Sequence, residues 1–363
     1  MRQPVTYVYV GNHTRVEPFP RGQAEGVNVY RLDPSNGALS PVQTVGGVLN
    51  PTWVALSPSG RNLYAISAVP EIDGKPTGGL SAYSIDPTGG RLTFLNRESV
   101  GGPGPAHVAL DPSGRLAMVA NYHGGSVAAL PVRPDGSLAP LSDFHQHHGH
   151  GSNPRRQEKP HPHSVNVDPT GRYALVCDLG LDEIVTYRID VEAGKLVREG
   201  AAKTQPGAGP RHLAFHPNGR LAYVIDEIDS TITVFEYDGD GGLSELQVVP
   251  TLPPGFSGEN TAAEVRILPD GRYVYGSNRG HDSIATFSVD ASTGKLTPLG
   301  FVSTQGKTPR GFGLDPTARL LLAANQDADT IVAFRVDEST GELAPTGIVN
   351  QSPSPTCVRF LET

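Results

Sequence analysis

The chain has 363 residues, 18% of them charged, with 37 acidic against 29 basic side chains and a formal net charge of −8. That balance argues against broad binding to nucleic acid or anionic membranes, which need a surplus of Lys and Arg on the surface. No apolar run approaches the roughly 20 residues that span a bilayer, and two cysteines, Cys177 and Cys357, form no disulfide framework, which points to a reducing cytoplasm.

Read from the start, the chain enters a strand pattern at Thr6-Tyr7-Val8-Tyr9-Val10, so no secretory leader is expected. "GVNVYRLDPSNGAL" follows, and then one segment recurs about every fifty residues. It reads "PTWVALSPSGRNLYAIS" from Pro51, "PAHVALDPSGRLAMVAN" from Pro105 and "PHSVNVDPTGRYALVCD" from Pro162. It returns as "PRHLAFHPNGRLAYVID" from Pro210, "AAEVRILPDGRYVYGSN" from Ala262 and "PRGFGLDPTARLLLAAN" from Pro309. A last fragment, "PTCVRF" from Pro355, lacks the second half of the unit, and "TYVYVGN" from Thr6 supplies it.

Each unit predicts four strands. In the third they are a short apolar strand at Val165-Asn166-Val167, a strand at Tyr173–Val176, a β-branched strand at Ile184–Tyr187, and an outer strand after the polar loop 190–195. Pro presets φ and Gly accepts positive φ in the turn between the first two. No 3.6-residue apolar period persists long enough for a helix. Four strands per fifty-residue repeat predict an all-β, seven-bladed β-propeller of four antiparallel strands per blade. The split seventh unit predicts a ring closed by a blade shared between the two ends, and residues 1–363 as a single domain.

Repeats inform most where they differ. One variable slot lies six residues before the turn proline and holds Thr52, Ala106, His163, Arg211, Ala263 and Arg310, with Thr356 in the fragment. A second follows the Asn or Asp that ends strand two and holds His13, Tyr122, Leu179, Glu227, Arg279 and Gln326. The start of strand one and the end of strand two share one mouth of a propeller channel, so His163, Arg211, Glu227, Arg279 and Arg310 are expected around one axial cavity. The recurrent Asn and Asp before the second slot read mainly as turn and backbone-bonding residues, with Asp178 and Asn278 also placed to orient neighbours.

Three blocks carry a resemblance over essentially the whole chain. "PRRQEKPHPHSVNVDPTGRYALVCDLGLDEI", "GPRHLAFHPNGRLAYVIDEIDSTITVFEY" and "AEVRILPDGRYVYGSNRGHDSIATF" resemble the seven-bladed propeller lactonases, which include 6-phosphogluconolactonases and fungal carboxymuconate-cyclizing enzymes. The resemblance implies a site of His163, Arg211, Glu227 and Arg279, four of the five residues that the slots select.

Their chemistry suits an anionic lactone. Guanidinium is permanently charged and forks onto carboxylate or phosphate, so Arg211 and Arg279 are expected to bind the substrate anion or polarise the carbonyl. The opposing reading pairs them with Glu264 or Asp282 of a neighbouring blade. Glu227 near arginines stays ionised and is a candidate base, or simply their counter-charge. His163 is a candidate acid/base or oxyanion donor. Arg310, Arg156, His161, Asn278 and His13 are secondary substrate-binding candidates.

Six histidines between His145 and His163 invite a metal, but most read as loop residues with no HExxH or CxxC pattern; no metal and no cofactor is expected. With no GxSxG elbow, a serine nucleophile lacks support. The resemblance thus implies hydrolysis of 6-phosphogluconolactone, a small anionic partner and no obligate protein partner. Carboxymuconate cycloisomerisation in the same site is the second reading, and a non-catalytic ligand- or protein-binding propeller the third.

Overall fold

Twenty-eight strands among the described residues pair into seven four-stranded antiparallel sheets in a computed structural model that describes residues 5–14 and 22–363. Within six of the seven sheets the strands follow chain order, so those blades are simple meanders. Blade three shows the plan, with strands at Pro162–Val167, Tyr173–Asp178, Glu183–Asp190 and Lys195–Lys203. The predicted elements fall inside these bounds, and the first strand begins three residues earlier than the sequence suggests. Apart from a 3-10 turn at Gln326–Ala328, no helix occurs among the described residues, and none is long and apolar enough to cross a membrane.

Blade seven closes the ring as expected. Its innermost strand is the C-terminal Pro355–Glu362, which pairs with Thr6–Asn12, followed outward by Val27–Leu32 and Leu39–Val45. Neither edge of that blade depends on a partner from outside the ring.

Apolar residues of the middle strands pack blade against blade. Met118 and Val127 of blade two meet Val176 and Val185 of blade three, and Tyr223 and Ile232 of blade four meet Val274 and Phe287 of blade five. Buried tyrosines on the second strands add a polar stitch to this packing. The hydroxyls of Tyr9, Tyr64, Tyr223 and Tyr275 donate to the carbonyls of Gly90, Gly136, Gly294 and Gly341 in the next blade, at 2.9–3.1 Å.

The turn after the first strand needs a left-handed residue. Gly60, Gly114, Gly171, Gly219 and Gly271 supply it in blades one to five, with φ of 68–78°. Blade six places Ala318 there at φ 57°, a conformation costing a Cβ-bearing residue about 1–2 kcal/mol.

The recurrent Asn of strand two is structural, as its repetition suggests. Asn121, Asn278 and Asn325 each donate from Nδ2 to the carbonyl that follows the outer strand of the preceding blade: Val100, Thr251 and Thr304.

Candidate active site

The innermost strands do not begin regularly. In blades two to seven the pairing of strands one and two slips by a residue at the first variable slot. Ala106, His163, Arg211, Arg310 and Thr356 are thereby left as the extra residue of a β-bulge. A bulge re-aims the side chain it carries, here toward the channel axis. The slot rule therefore has a physical basis that period-two alternation alone would not supply.

Beneath this mouth lies a chamber of about 290 Å³. His163 and Arg310 enter it from the bulges, Glu227 and Arg279 from the ends of second strands, and Arg156 from the long loop before blade three. Blades one and two contribute Thr52, Ala68, Gly104, Pro105, Ala106, Tyr122 and His123, with no guanidinium or carboxylate among them, so the arginines and Glu227 gather on the opposite side of the chamber. His13 also lines it, and burial with the nearby Arg310 charge holds its imidazole neutral, with a pKa of about 3.

Glu227 is the electrostatic centre. Its Oε2 accepts from Arg211 Nε at 2.9 Å and lies 2.8 Å from Arg279 Nη2, while Oε1 accepts from Arg156 Nη2. Burial would raise this carboxyl, but the guanidinium groups of Arg279, Arg211 and Arg156 hold it well below the ordinary range. Four guanidinium groups, including Arg310, thus face one carboxylate and leave an excess of three positive charges.

Their availability differs. Arg211 is only 2% exposed and does not line the chamber. It donates to Glu227, to the Ala263 carbonyl and to His212 Nε2. Arg211 was expected to grip the substrate; its Nε and Nη1 are bonded to the protein, and it stands behind the lining rather than in it. Its partner is Glu227 rather than Glu264, and Arg279 likewise pairs with Glu227 rather than Asp282. Arg310 lines the chamber with no hydrogen bond or ion pair to another described residue, and burial beside Arg279 lowers it to about 10.

His163 has no hydrogen-bond partner at its buried Nδ1. Burial, reinforced by Arg211 and His212, drives its pKa well below the ordinary imidazole value, so it is neutral at pH 7. Tyr122 stands edge-on to it at 5.4 Å between ring centroids and also lines the chamber.

Two secondary candidates lie outside the lining. His161 stacks on Tyr122 at 4.5 Å, and its two ring nitrogens meet the Tyr122 carbonyl and the Glu158 carboxylate. Asn278 binds Thr251 and Asn260. Both position neighbours and do not face the chamber.

The histidine-rich segment is also less loose than its composition suggests. His147 is buried, donating from Nδ1 to Asp178 at 2.6 Å and accepting at Nε2 from the Tyr187 hydroxyl at 2.6 Å. Asp178 in turn accepts the His161 N–H at 2.7 Å, fixing the backbone just before His163. Among the described residues no three His, Cys, Asp or Glu side chains gather as metal ligands.

Sequence reasoning missed what holds Arg156. Gln157 is fully buried and donates to the Leu179 carbonyl at 2.9 Å and to Asp182 at 2.5 Å, clamping the loop to blade three. No repeat position marks it. Tyr122 did carry a signal, being the aromatic in the second slot, yet it was not among the expected site residues.

A family profile described as "Lactonase, 7-bladed beta-propeller" matches residues 7–360. The chain belongs to this propeller lactonase family. It is 40% identical over 311 residues to a 6-phosphogluconolactonase of Bacillus subtilis strain 168, covering 85% of each chain. It is 32% identical over 315 residues to a 6-phosphogluconolactonase of Formosa agariphila, covering 85% of this chain and 86% of the other. Among solved structures, a periplasmic gluconolactonase of Pseudomonas aeruginosa superimposes with a TM-score of 0.90 at 34% identity, covering 98% of this chain and 99% of that one.

Proposed function

We propose that this propeller lactonase hydrolyses an anionic sugar lactone, with 6-phosphogluconolactone opened to 6-phosphogluconate in the chamber around Glu227. The observation that carries the reading is the excess of guanidinium over carboxylate beside a neutral imidazole. Four arginines surround a single Glu227, while His163 Nδ1 has no partner. The names of the relatives favour hydrolysis over the cycloisomerase reading. The polar lining does not suit a protein-binding face, where aromatic and apolar side chains concentrate. Two unpaired buried cysteines suit a reducing compartment, which is part of the same reading.

Arg310 and Arg156 hold the phosphate, and Arg279, anchored by Glu227, polarises the lactone carbonyl. These guanidinium groups supply the positive charge that the reaction needs without a metal. Glu227 is a poor base, because protonating it would leave three guanidinium groups without their counter-charge. His163 is the better one. Cationic neighbours disfavour its imidazolium while the chamber is empty, and a bound phosphate dianion offsets them. His163 takes a proton from water as the hydroxyl oxygen bonds to the carbonyl carbon. The ring C–O bond then breaks, and His163 returns the proton to the departing alkoxide.

The test is turnover of purified protein on 6-phosphogluconolactone and on carboxymuconolactone, with spontaneous hydrolysis subtracted. Activity on the first supports the reading. Activity on the second alone moves the chain to the cycloisomerase class, and activity on neither by folded protein ends both.

A further inference from the structure

The channel continues below the chamber. One residue further along the same strands a second cavity of about 350 Å³ opens, lined by Trp53, His107, His212, Glu264, Arg266 and Arg359. Its histidines are committed to the protein or held neutral. His212 Nδ1 donates to Glu264 Oε1 at 3.1 Å and its Nε2 accepts from Arg211 Nη1 at 3.2 Å. His107 Nδ1 accepts the Val165 N–H at 3.4 Å. Burial keeps both imidazoles well below their ordinary pKa, with surrounding guanidinium groups acting in the same sense.

Its arginines are in surplus. Arg266 meets Glu264 Oε2 only at 3.4 Å, and its Nε is buried without a partner. The Arg359 guanidinium lies 4.2 Å over the Trp53 ring and donates to the Val358 carbonyl, with no ion pair to a described carboxylate. Two guanidinium groups thus share one carboxylate that is already occupied by His212. The imbalance is one positive charge, against three in the first chamber. That surplus charge favours an anion that balances it. A monocarboxylate does so, whereas a phosphate dianion overshoots.

We propose that this second chamber binds a small monocarboxylate of sugar-acid size, with the carboxylate forked between Arg266 and Arg359 and the remainder against His107 and Asn166. The site is separate from the one around Glu227, and its test is a binding measurement that does not depend on the substrate or on turnover.

Gluconate is the probe, titrated calorimetrically into the full chain and soaked into crystals, with inorganic phosphate as the comparison. Gluconate should appear against Arg266 and Arg359. Arg359→Gln and Arg266→Gln should each weaken it at least tenfold, and Arg310→Ala should leave it in place. Phosphate should show the opposite pattern. Arg359→Lys, which keeps the charge above Trp53, should retain gluconate binding, so a poorly folded Arg359→Gln still leaves Arg266→Gln and Arg359→Lys to decide. The proposal is overturned if gluconate binding is lost in Arg310→Ala and unchanged in Arg266→Gln. It is overturned equally if wild-type protein gives neither heat nor density with gluconate, or if phosphate occupies Arg266 and Arg359 and gluconate does not.

Discussion

The two chambers of the channel are built from neighbouring residues on the same strands, yet they present opposite chemistry. In the first, the buried Nδ1 of His163 and the Arg310 guanidinium have no hydrogen bond or ion pair to another described residue, while Glu227 gathers the other guanidinium groups. In the second, His212 is saturated from both sides, by Glu264 and by Arg211. Both imidazoles are buried and both are neutral, so in the proposed mechanism it is the partner list that sets His163 apart from His212.

Substitutions at the two histidines sharpen that contrast most. His163→Ala should lower kcat by about 1,000-fold, the scale of losing a positioned acid/base. His212→Asn should lower it less than about tenfold, since it acts only through Arg211. Comparable losses in single-turnover assays would erase the distinction. Next in size, Arg279→Ala should cost about 100-fold in kcat with the fold intact, as expected of a group that stabilises a developing oxyanion.

Glu227→Gln asks how far the arginines depend on one counter-charge. Leaving them buried and unneutralised should cost about 3 kcal/mol of stability, read from thermal unfolding. Inorganic phosphate should restore part of the loss. A variant as stable as wild type, indifferent to phosphate, would mean that the positive excess is not felt.

The neighbouring carboxyls give a pH signature of opposite sign. Burial lifts Asp226 well above the ordinary aspartate value, and Asp229, though exposed at the surface, is pushed up to about 6. The folded chain therefore holds protons there that the unfolded chain has released, so this stability is full below about pH 4 and is lost as pH rises through 6. Asp226→Asn removes part of that loss and should stabilise at pH 8 relative to pH 5 by on the order of 1 kcal/mol. An unchanged pH profile of the unfolding midpoint would count against a protonated Asp226. The smallest effect is remote from both chambers. Ala318→Gly should relieve the left-handed turn of blade six, adding about 0.5–1 kcal/mol while leaving turnover unchanged.

Much of this was legible in the sequence because a propeller repeats its scaffold and varies its function. The turn prolines fix the phase, the split last unit announces closure, and His163, Glu227, Arg279 and Arg310 stand out as departures at equivalent positions. What stayed hidden traces to the bulges. Alternation sends the residue after a channel-facing one to the other side of the sheet, so Trp53, His107, His212 and Glu264 gave no sign of a second chamber. The bulge breaks that rule in six blades. Depth was hidden as well. Arg211 and Arg310 occupy the same slot, yet only the structure separates the buried clamp from the open donor. His147 and Gln157, in a histidine- and glycine-bearing stretch that reads as loose loop, are each anchored through two long-range hydrogen bonds that no periodicity encodes.

The central claim, that side chains from blades three to six act together on one anionic substrate, is tested most directly by a crystal structure with bound 6-phosphogluconate. The account predicts the phosphate against Arg310 and Arg156 and the newly formed carboxylate between Arg279 and His163. Product seated in any other cavity, with the groups around Glu227 untouched, would contradict it.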